Sequence, residues 1–435
     1  MTLNKPTIFL LLICGSAFSQ KVDKIIKEKD VTRIIKTLSA DDMMGRPAKH
    51  PDQIDKATSF IEHEFKKIGL KPLNGLSGFR QEFKKEMISP AEVNVTLDDE
   101  KIASDHIVIV SEKAEIHFTK GLTIQSIPFD KEATNNSRYF FGKAFSFIRD
   151  TSSSLVLVAP EFESNFKELE GFMKDRFAQG GKSTKVFVLG KSTATTYSVK
   201  AKQHITTIKM NNVAGRLEGK SKPHEIVVFS GHYDHLGIRK PVNGDSIANG
   251  ADDDASGTTA VIELAKYFKK QKNNNRTLIF VAFTAEEIGG YGSQYFSQQL
   301  NADNVVAMFN IEMIGKPSKW GKSSAFITGF ERSDFGSILQ KNLEGTPFQF
   351  HPDPYPEQQL FYRSDNATLA RLGVPAHSIS TDQIDTDKLY HSVDDEFESL
   401  DTDNLTKAIK AIALSARSIV EGTDTPKRID KATVK

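Results

Sequence analysis

From residue 206 onward the chain alternates two kinds of stretch that few architectures accommodate. Short apolar runs at 226–229, 278–283 and 305–311 are separated by longer stretches of helical period at 258–270 and 292–300. An apolar run without polar alternation is a strand buried on both faces, and the helix that follows it covers one of those faces. The pattern therefore predicts an α/β protein with a mixed, mostly parallel central sheet and helices on both faces. In such sheets a ligand sits beyond the carboxyl ends of the strands.

The flanking regions read differently. Residues 20–87 form an N-terminal helical part: Ile34, Ile35 and Leu38 share one stripe, Ile54, Ala57, Phe60, Ile61, Phe65 and Ile68 another, and Gly69 ends the second helix. Residues 88–205 offer β-like runs at 94–97, 107–110, 155–158 and 185–189 with one helical stretch at 162–177, and read as a β-rich inserted segment. The α/β domain then occupies 206–423. A polar tail, 424–435, is expected to fray.

The first residues, MTLNKPTIFLLLICGSAFSQK, combine Lys5, an apolar run at 8–14 and the small residues Ala17 and Ser19 before Gln20. This is the pattern of a signal peptide over 1–19, so the protein is expected to be exported, to the periplasm or beyond. The run is shorter than the roughly 18 residues a membrane span needs, and no later stretch reaches that length. Cys14, the only cysteine, falls inside the removed segment. Lipid anchoring at Cys14 is the alternative, but it wants a small residue where Ile13 stands. With 57 basic against 56 acidic side chains, no global field recruits nucleic acid. Without disulfides, core size or bound metal must stabilise the fold.

Polar clusters fall where the strands end. His232 and Asp234 follow the first run, NGADDDASG spans 249–257, TAEEIGGYGS spans 284–293, NIEMIG spans 310–315, and LYHSVDD spans 389–395. Each alone has a plainer reading: His-x-Asp suits a hydrogen-bonded loop, and Asp254 or Ser256 suits a helix cap before Thr258. Together and in order they make a metal site. Nitrogen and carboxylate donors without thiols suit Zn²⁺, with Mn²⁺ or Co²⁺ as other occupants. Two histidines and three carboxylates exceed what one zinc with an open position takes, and they suit two ions sharing a carboxylate. Asp234 is placed to bond the second ring nitrogen of His232. Of Glu286 and Glu287, one can bind metal while the other takes a proton from water as general base. His235, His351 and His377 read as structural.

These motifs as a set, with LSADDMMGR near residue 38 and NNVAGRLEG at 211–219, resemble the M28 family of co-catalytic zinc peptidases. The resemblance covers 211 to about 420 and implies the zinc-exopeptidase (phosphorylase/hydrolase-like) fold, two zinc ions, peptide substrates and aminopeptidase activity. Carried across, it implies that Asp253 bridges the ions, that His232 and Glu312 complete one and Glu287 and His391 the other. Glu286 would be the general base and Asp234 would orient His232. Where relatives commonly have aspartate this chain has Glu312, one methylene longer. Tyr390, directly before the last histidine, matches the oxyanion donor of some relatives; others place a tyrosine where this chain has Phe361, beside Tyr362. The insert occupies the place of a protease-associated domain. A carboxypeptidase, with Arg363 on a substrate carboxylate, a glutaminyl cyclase and a non-catalytic binding domain are the competing functions on this fold.

Overall fold

The computed structural model describes residues 21–131 and 135–435. The expected signal sequence, with Cys14, lies outside them. The described chain divides into two compact units, one of residues up to Phe83 and from Met210 onward, the other Lys84–Lys209.

The larger unit is built on a central sheet. Its strands are β1 (Tyr197–Leu217, through its C-terminal end), β2 (Lys222–His232), β3 (Arg276–Phe283), β4 (Val305–Ile311), β5 (Ser324–Ile327), β6 (Gln349–Pro352) and β7 (Ala376–Ser380). They lie in the order β6-β5-β7-β4-β2-β3-β1. The neighbours β2–β3, β2–β4, β4–β7 and β5–β6 run parallel, whereas β5–β7 and β1–β3 run antiparallel. The sheet is therefore mixed and mostly parallel, as the alternation predicts.

Both faces are buried. On one, Phe229 stacks on Phe280 at 5.4 Å and on Phe309 at 4.8 Å, with Phe268 of the helix α3 (Gly257–Gln271) at 5.3 Å. On the other, Val228, Ile279, Val281, Phe283 and Met308 pack against Phe296 of α4 (Tyr291–Gln298) and against Leu369 and Ala370. Each such side chain contributes about 2–3 kcal/mol of burial. This double packing explains why β3 reads as an unbroken apolar run.

Two N-terminal helices belong to this unit. In α1 (Glu28–Leu38), Val31, Ile34, Ile35 and Leu38 are buried at the spacing the sequence shows. In α2 (Pro51–Ile68), Pro51 opens the helix and Gly69, at φ 81°, closes it by donating to the carbonyls of Phe65 and Lys66. The final dozen residues depart from expectation. Ile429 is buried in the core and donates its N–H to Gly373, while the Arg276 guanidinium bonds the carbonyls of Ile419 and Asp424. The tail docks because Ile429 joins the core cluster and Val434 packs against it.

In the smaller unit a four-stranded sheet has the order Ile107–Val110, Lys185–Leu189, Ser154–Val158, Thr123–Ile127. The sequence predicts one helix there, and the structure has two, Asn136–Arg149 and Glu163–Met173. The first escapes detection because its aromatic residues, Tyr139, Phe140, Phe141 and Phe145, carry strand propensity. It begins where the Asn135 side chain accepts the N–H of Arg138. Among the described residues, no helix is long and apolar enough to cross a membrane.

Candidate metal centre

Five loops bring their side chains to the carboxyl edge of β2, β3 and β4. His232 ends β2, and its Nε2 lies 3.2 Å from Asp253 Oδ1 and 3.2 Å from Glu312 Oε1. Asp253 Oδ2 is 3.3 Å from His391 Nε2, which is 3.1 Å from Glu287 Oε2. Asp253 thus turns one oxygen toward each of two donor groups, His232 with Glu312 and His391 with Glu287. Donors about 2.0–2.1 Å from one tetrahedral zinc stand about 3.3 Å apart, so both groups have the spacing of a ligand set.

The aspartate triplet divides its work by register. Asp252 Oδ1 accepts the N–H of Gly315, and Asp254 accepts the N–H groups of His232, Gly257 and Met313. Those two fix backbone, which leaves Asp253 for the centre. The loop is further held by Asp395, whose carboxylate accepts the N–H of Asp252 and of Asp253. Ala285, Met313 and His391 all have positive φ, at 61°, 49° and 58°. Non-glycine residues in this region are uncommon and cluster at functional sites, and here each sits in or beside a donor segment.

Asp234 does not act as the sequence suggests. The Nδ1–H of His232 donates to the backbone carbonyl of Asp234 at 3.0 Å, while the nearer carboxylate oxygen stays 3.8 Å away. That oxygen instead accepts the N–H of Glu286 at 3.1 Å. The peptide carbonyl lies in the same turn as the ring and takes its proton first. Asp234 still fixes the His232 tautomer, through its backbone, and its carboxylate ties this loop to the one bearing Glu286 and Glu287.

Electrostatics separates the carboxylates. Burial pushes Asp253 up, but His235, His232 and His391 outweigh it and hold the carboxyl well below its usual range. Burial and Asp253 push Glu287 up, and His235 and His391 pull it below its ordinary value. Glu286 goes the other way. Burial raises it well above a normal glutamate against the pull of His232, with Glu312 and Asp365 repelling its charge. Of Asp253, Glu286 and Glu287, only Glu286 is pushed upward, so its surroundings favour the protonated form.

A cleft opens beside Glu312 and is lined by Phe326, Leu360, Arg363, Ile384 and Tyr390 among others. The Tyr390 ring stacks on His391 at 3.9 Å, and Arg363 donates to its hydroxyl at 3.4 Å. Burial, then Asp253 and Glu287, raise the Tyr390 phenol, so it remains a donor. The alternative aromatic pair is elsewhere: Phe361 is in the core, and the Tyr362 hydroxyl contacts Arg332 and Thr433.

The sequence assigns no role to some contributors, even where a quoted motif contains them, as LSADDMMGR contains Arg46. Arg46 is fully buried and donates to the carbonyls of Leu38, Tyr233, Asn249 and Gly250 at 2.5–2.9 Å, clamping the two loops that carry His232 and Asp253. Lys316 places its ammonium 2.6 Å from Asp387, 3.5 Å from Asp252 and 3.8 Å from Asp395. His235 is buried beside the centre, its Nδ1 2.7 Å from Glu287 Oε1 and 3.8 Å from Asp253 Oδ2. His377 is a bonded core residue, and His351 stacks on Trp320.

Comparison with known proteins bears on the family and the fold. Residues 212–416 match the sequence profile described as Peptidase family M28. A probable zinc metalloprotease of Pyrenophora teres f. teres (strain 0-1) is 37% identical over 110 residues, which cover 25% of this chain and 22% of that protein. The match therefore spans about a fifth of that relative's length. A probable leucine aminopeptidase of Arthroderma otae is 27% identical over 227 residues, 49% of this chain and 58% of the relative. The fold as a whole is similar to an aminopeptidase from Aneurinibacillus sp. strain AM-1, with a TM-score of 0.54 at 18% identity over 96% of this chain and 98% of that one. It is likewise similar to BSAP, a zinc aminopeptidase from Bacillus subtilis, with a TM-score of 0.55 at 16% identity over 94% and 99% of the two chains.

Proposed function

Since residues 212–416 are a domain of peptidase family M28, we propose that the chain is an exported zinc exopeptidase that removes N-terminal residues from peptides at a two-ion centre. The observation that carries this reading is the division of Asp253 between two donor groups, His232 with Glu312 and Glu287 with His391.

The donors fit zinc. All are imidazole nitrogens or carboxylate oxygens, and Glu287 Oε1 is buried with no hydrogen-bond partner. Three carboxylates and their neighbours Asp254 and Glu286 crowd one small volume, a concentration of negative charge that divalent cations relieve. His232, Asp253 and Glu312 would hold one ion, and Asp253, Glu287 and His391 the other. Glutamate at position 312 spans the distance to His232 without loss of contact, and Ser364 Oγ donates to its second oxygen at 2.5 Å. Bound zinc supplies polarisation of the scissile carbonyl and lowers the pKa of the attacking water to about 7.

The residues do the rest. Glu286 accepts the water's proton and passes it to the leaving amine, so that the peptide bond breaks to a carboxylate and a free amino terminus. Its N–H bond to Asp234 fixes the backbone from which it acts. Tyr390 donates from its hydroxyl to the oxyanion that develops on the carbonyl. The cleft lined by Phe326, Leu360 and Ile384 receives the terminal side chain. Arg363 at the same cleft favours a second reading, a carboxypeptidase, in which the guanidinium holds a substrate carboxylate. The full donor set argues against a one-zinc cyclase and against a binding-only domain.

The test joins metal content to activity. Residues 20–435 should carry two zinc ions and release aniline from aminoacyl-anilides, and a chelator should stop that release. Glu286→Gln should keep both ions and lose turnover by about 100-fold or more. Undiminished turnover in that variant refutes the base, and cleavage of N-terminally acetylated peptides from their carboxyl end establishes the carboxypeptidase.

A further inference from the structure

A buried structural histidine satisfies both ring nitrogens, and His377 shows how this chain does it. Its Nδ1 bonds the Thr328 carbonyl and its Nε2 the Ser333 hydroxyl. His235 is as deeply buried, yet neither Nδ1 nor Nε2 has a hydrogen-bond partner. Glu287 Oε1, 2.7 Å from Nδ1, is also buried and without one. Two orphaned polar atoms at hydrogen-bond distance from each other, and still not bonded, require an explanation.

Geometry supplies it. A hydrogen bond needs the ring N–H to point along the line to the oxygen, within about 30°. Two donor atoms that each bind one ion at about 2.0–2.1 Å, and stand 2.7 Å apart, place that ion about 50° off their connecting line. The ring's in-plane lone pair then points at the ion and away from the oxygen. A short contact that fails as a hydrogen bond is what shared coordination produces. Asp253 Oδ2 completes the triangle at 3.8 Å, and the three donor atoms of His235, Asp253 and Glu287 all lie within 4.8 Å of one another.

The surroundings are shaped to this ring. Gly250 has φ 55°, and a Cβ there would stand 2.4 Å from the His235 ring and 2.2 Å from the Asp253 carbonyl oxygen. Only a glycine lets the Asp253 loop pass so close. The His235 N–H is pinned to the carbonyl of Arg46, whose side chain holds the carbonyl of the same Gly250. The His391 ring packs edge-on against the His235 ring, with centroids 5.9 Å apart.

We infer that His235 is a further ligand of the second ion, binding through Nδ1, so that this ion is held by two imidazoles and two carboxylates. The inference rests on the two-ion reading above. The second ion then becomes the more tightly held of the pair.

The test reads metal and not turnover. Zinc affinity of His235→Asn and His391→Asn is measured by competition with a chromogenic chelator, with the Co²⁺-loaded visible spectrum of each recorded beside it. Asparagine retains a donor near the position of Nδ1, so a residue that merely orients Glu287 would lose at most about 10–100-fold in affinity. A ligand is expected to lose more than about 100-fold, with a changed Co²⁺ band intensity, in His235→Asn as in His391→Asn. Wild-type affinity or a smaller loss with an unchanged spectrum in His235→Asn, while His391→Asn loses its ion, overturns the inference and leaves the two-ion reading standing. If the unsubstituted protein binds fewer than two ions, both fall. Should His235→Asn fail to give a native circular dichroism spectrum, His235→Gln serves, judged by the same two readouts.

Discussion

His377 gives the fold a titratable weak point whose cost follows from its surroundings. It lies on β7 in the core, with Phe335 stacked at 4.9 Å. Its Nδ1–H donates to Thr328 at 2.8 Å and its Nε2 accepts from Ser333 at 2.7 Å. Burial pushes its pKa down from 6.5 to about 4 against the Thr328 bond, and Arg332 pushes the same way. Because the folded value lies below the unfolded one, the unfolded chain takes up a proton that the folded chain refuses. Stability from this group is complete above about pH 7, drains as pH falls from 6.5 toward 4, and falls no further below that. Integrating between about pH 7 and about pH 4.5 gives a loss of about 2.5 kcal/mol. His377→Gln abolishes the titration and gives up one hydrogen bond, about 1 kcal/mol, at every pH. Urea unfolding of both proteins in excess chelator, at about pH 7 and about pH 4.5, isolates the difference because other groups titrate alike in each. The variant should lose about 2.5 kcal/mol less on acidification than the parent. Equal losses would refute the reasoning.

Two other substitutions probe the frame around the centre. Arg46→Met leaves four buried carbonyls without their donor and should cost at least about 4 kcal/mol in urea unfolding; a loss under about 1 kcal/mol would mean that the clamp is dispensable. Ile429→Ala should cost about 2–4 kcal/mol in a denaturant titration, because the tail is part of the core; a frayed tail would give less than about 0.5 kcal/mol.

What the sequence discloses here is periodicity and strand-end chemistry. Both faces of β2, β3 and β4 are packed, so each reads as an uninterrupted apolar run, and donors placed directly after such runs were bound to converge. His232, Glu286, Glu287 and Glu312 are visible for that reason, whereas Asp253 and His391 follow no such run and are legible only through the motifs NGADDDASG and LYHSVDD. Arg46 and Asp395 end the LSADDMMGR and LYHSVDD motifs, yet they and Lys316 act on backbone or on other carboxylates far along the chain, and nothing in the motifs discloses that role. His235 escapes because its neighbours in sequence offer no reason to bury it; only the approach of Gly250 does. The direction of the Asp234 carboxylate was likewise illegible, since spacing alone does not tell whether a side-chain oxygen or a peptide carbonyl meets the ring.

The Arg46 clamp also fixes an order of events during synthesis. Its partners at Tyr233, Asn249 and Gly250 lie 187, 203 and 204 residues downstream. Until they have left the ribosome, the guanidinium has only the Leu38 carbonyl to exchange for water, and burying it on that one partner would be prohibitive. Lengthening such a loop is cheap, about 0.6 kcal/mol per doubling, but it cannot close before its far end exists. The donor loops thus become rigid late, and an ion that arrives earlier meets separate side chains with no common geometry. Metal loading is accordingly a property of the finished fold and not of the nascent chain.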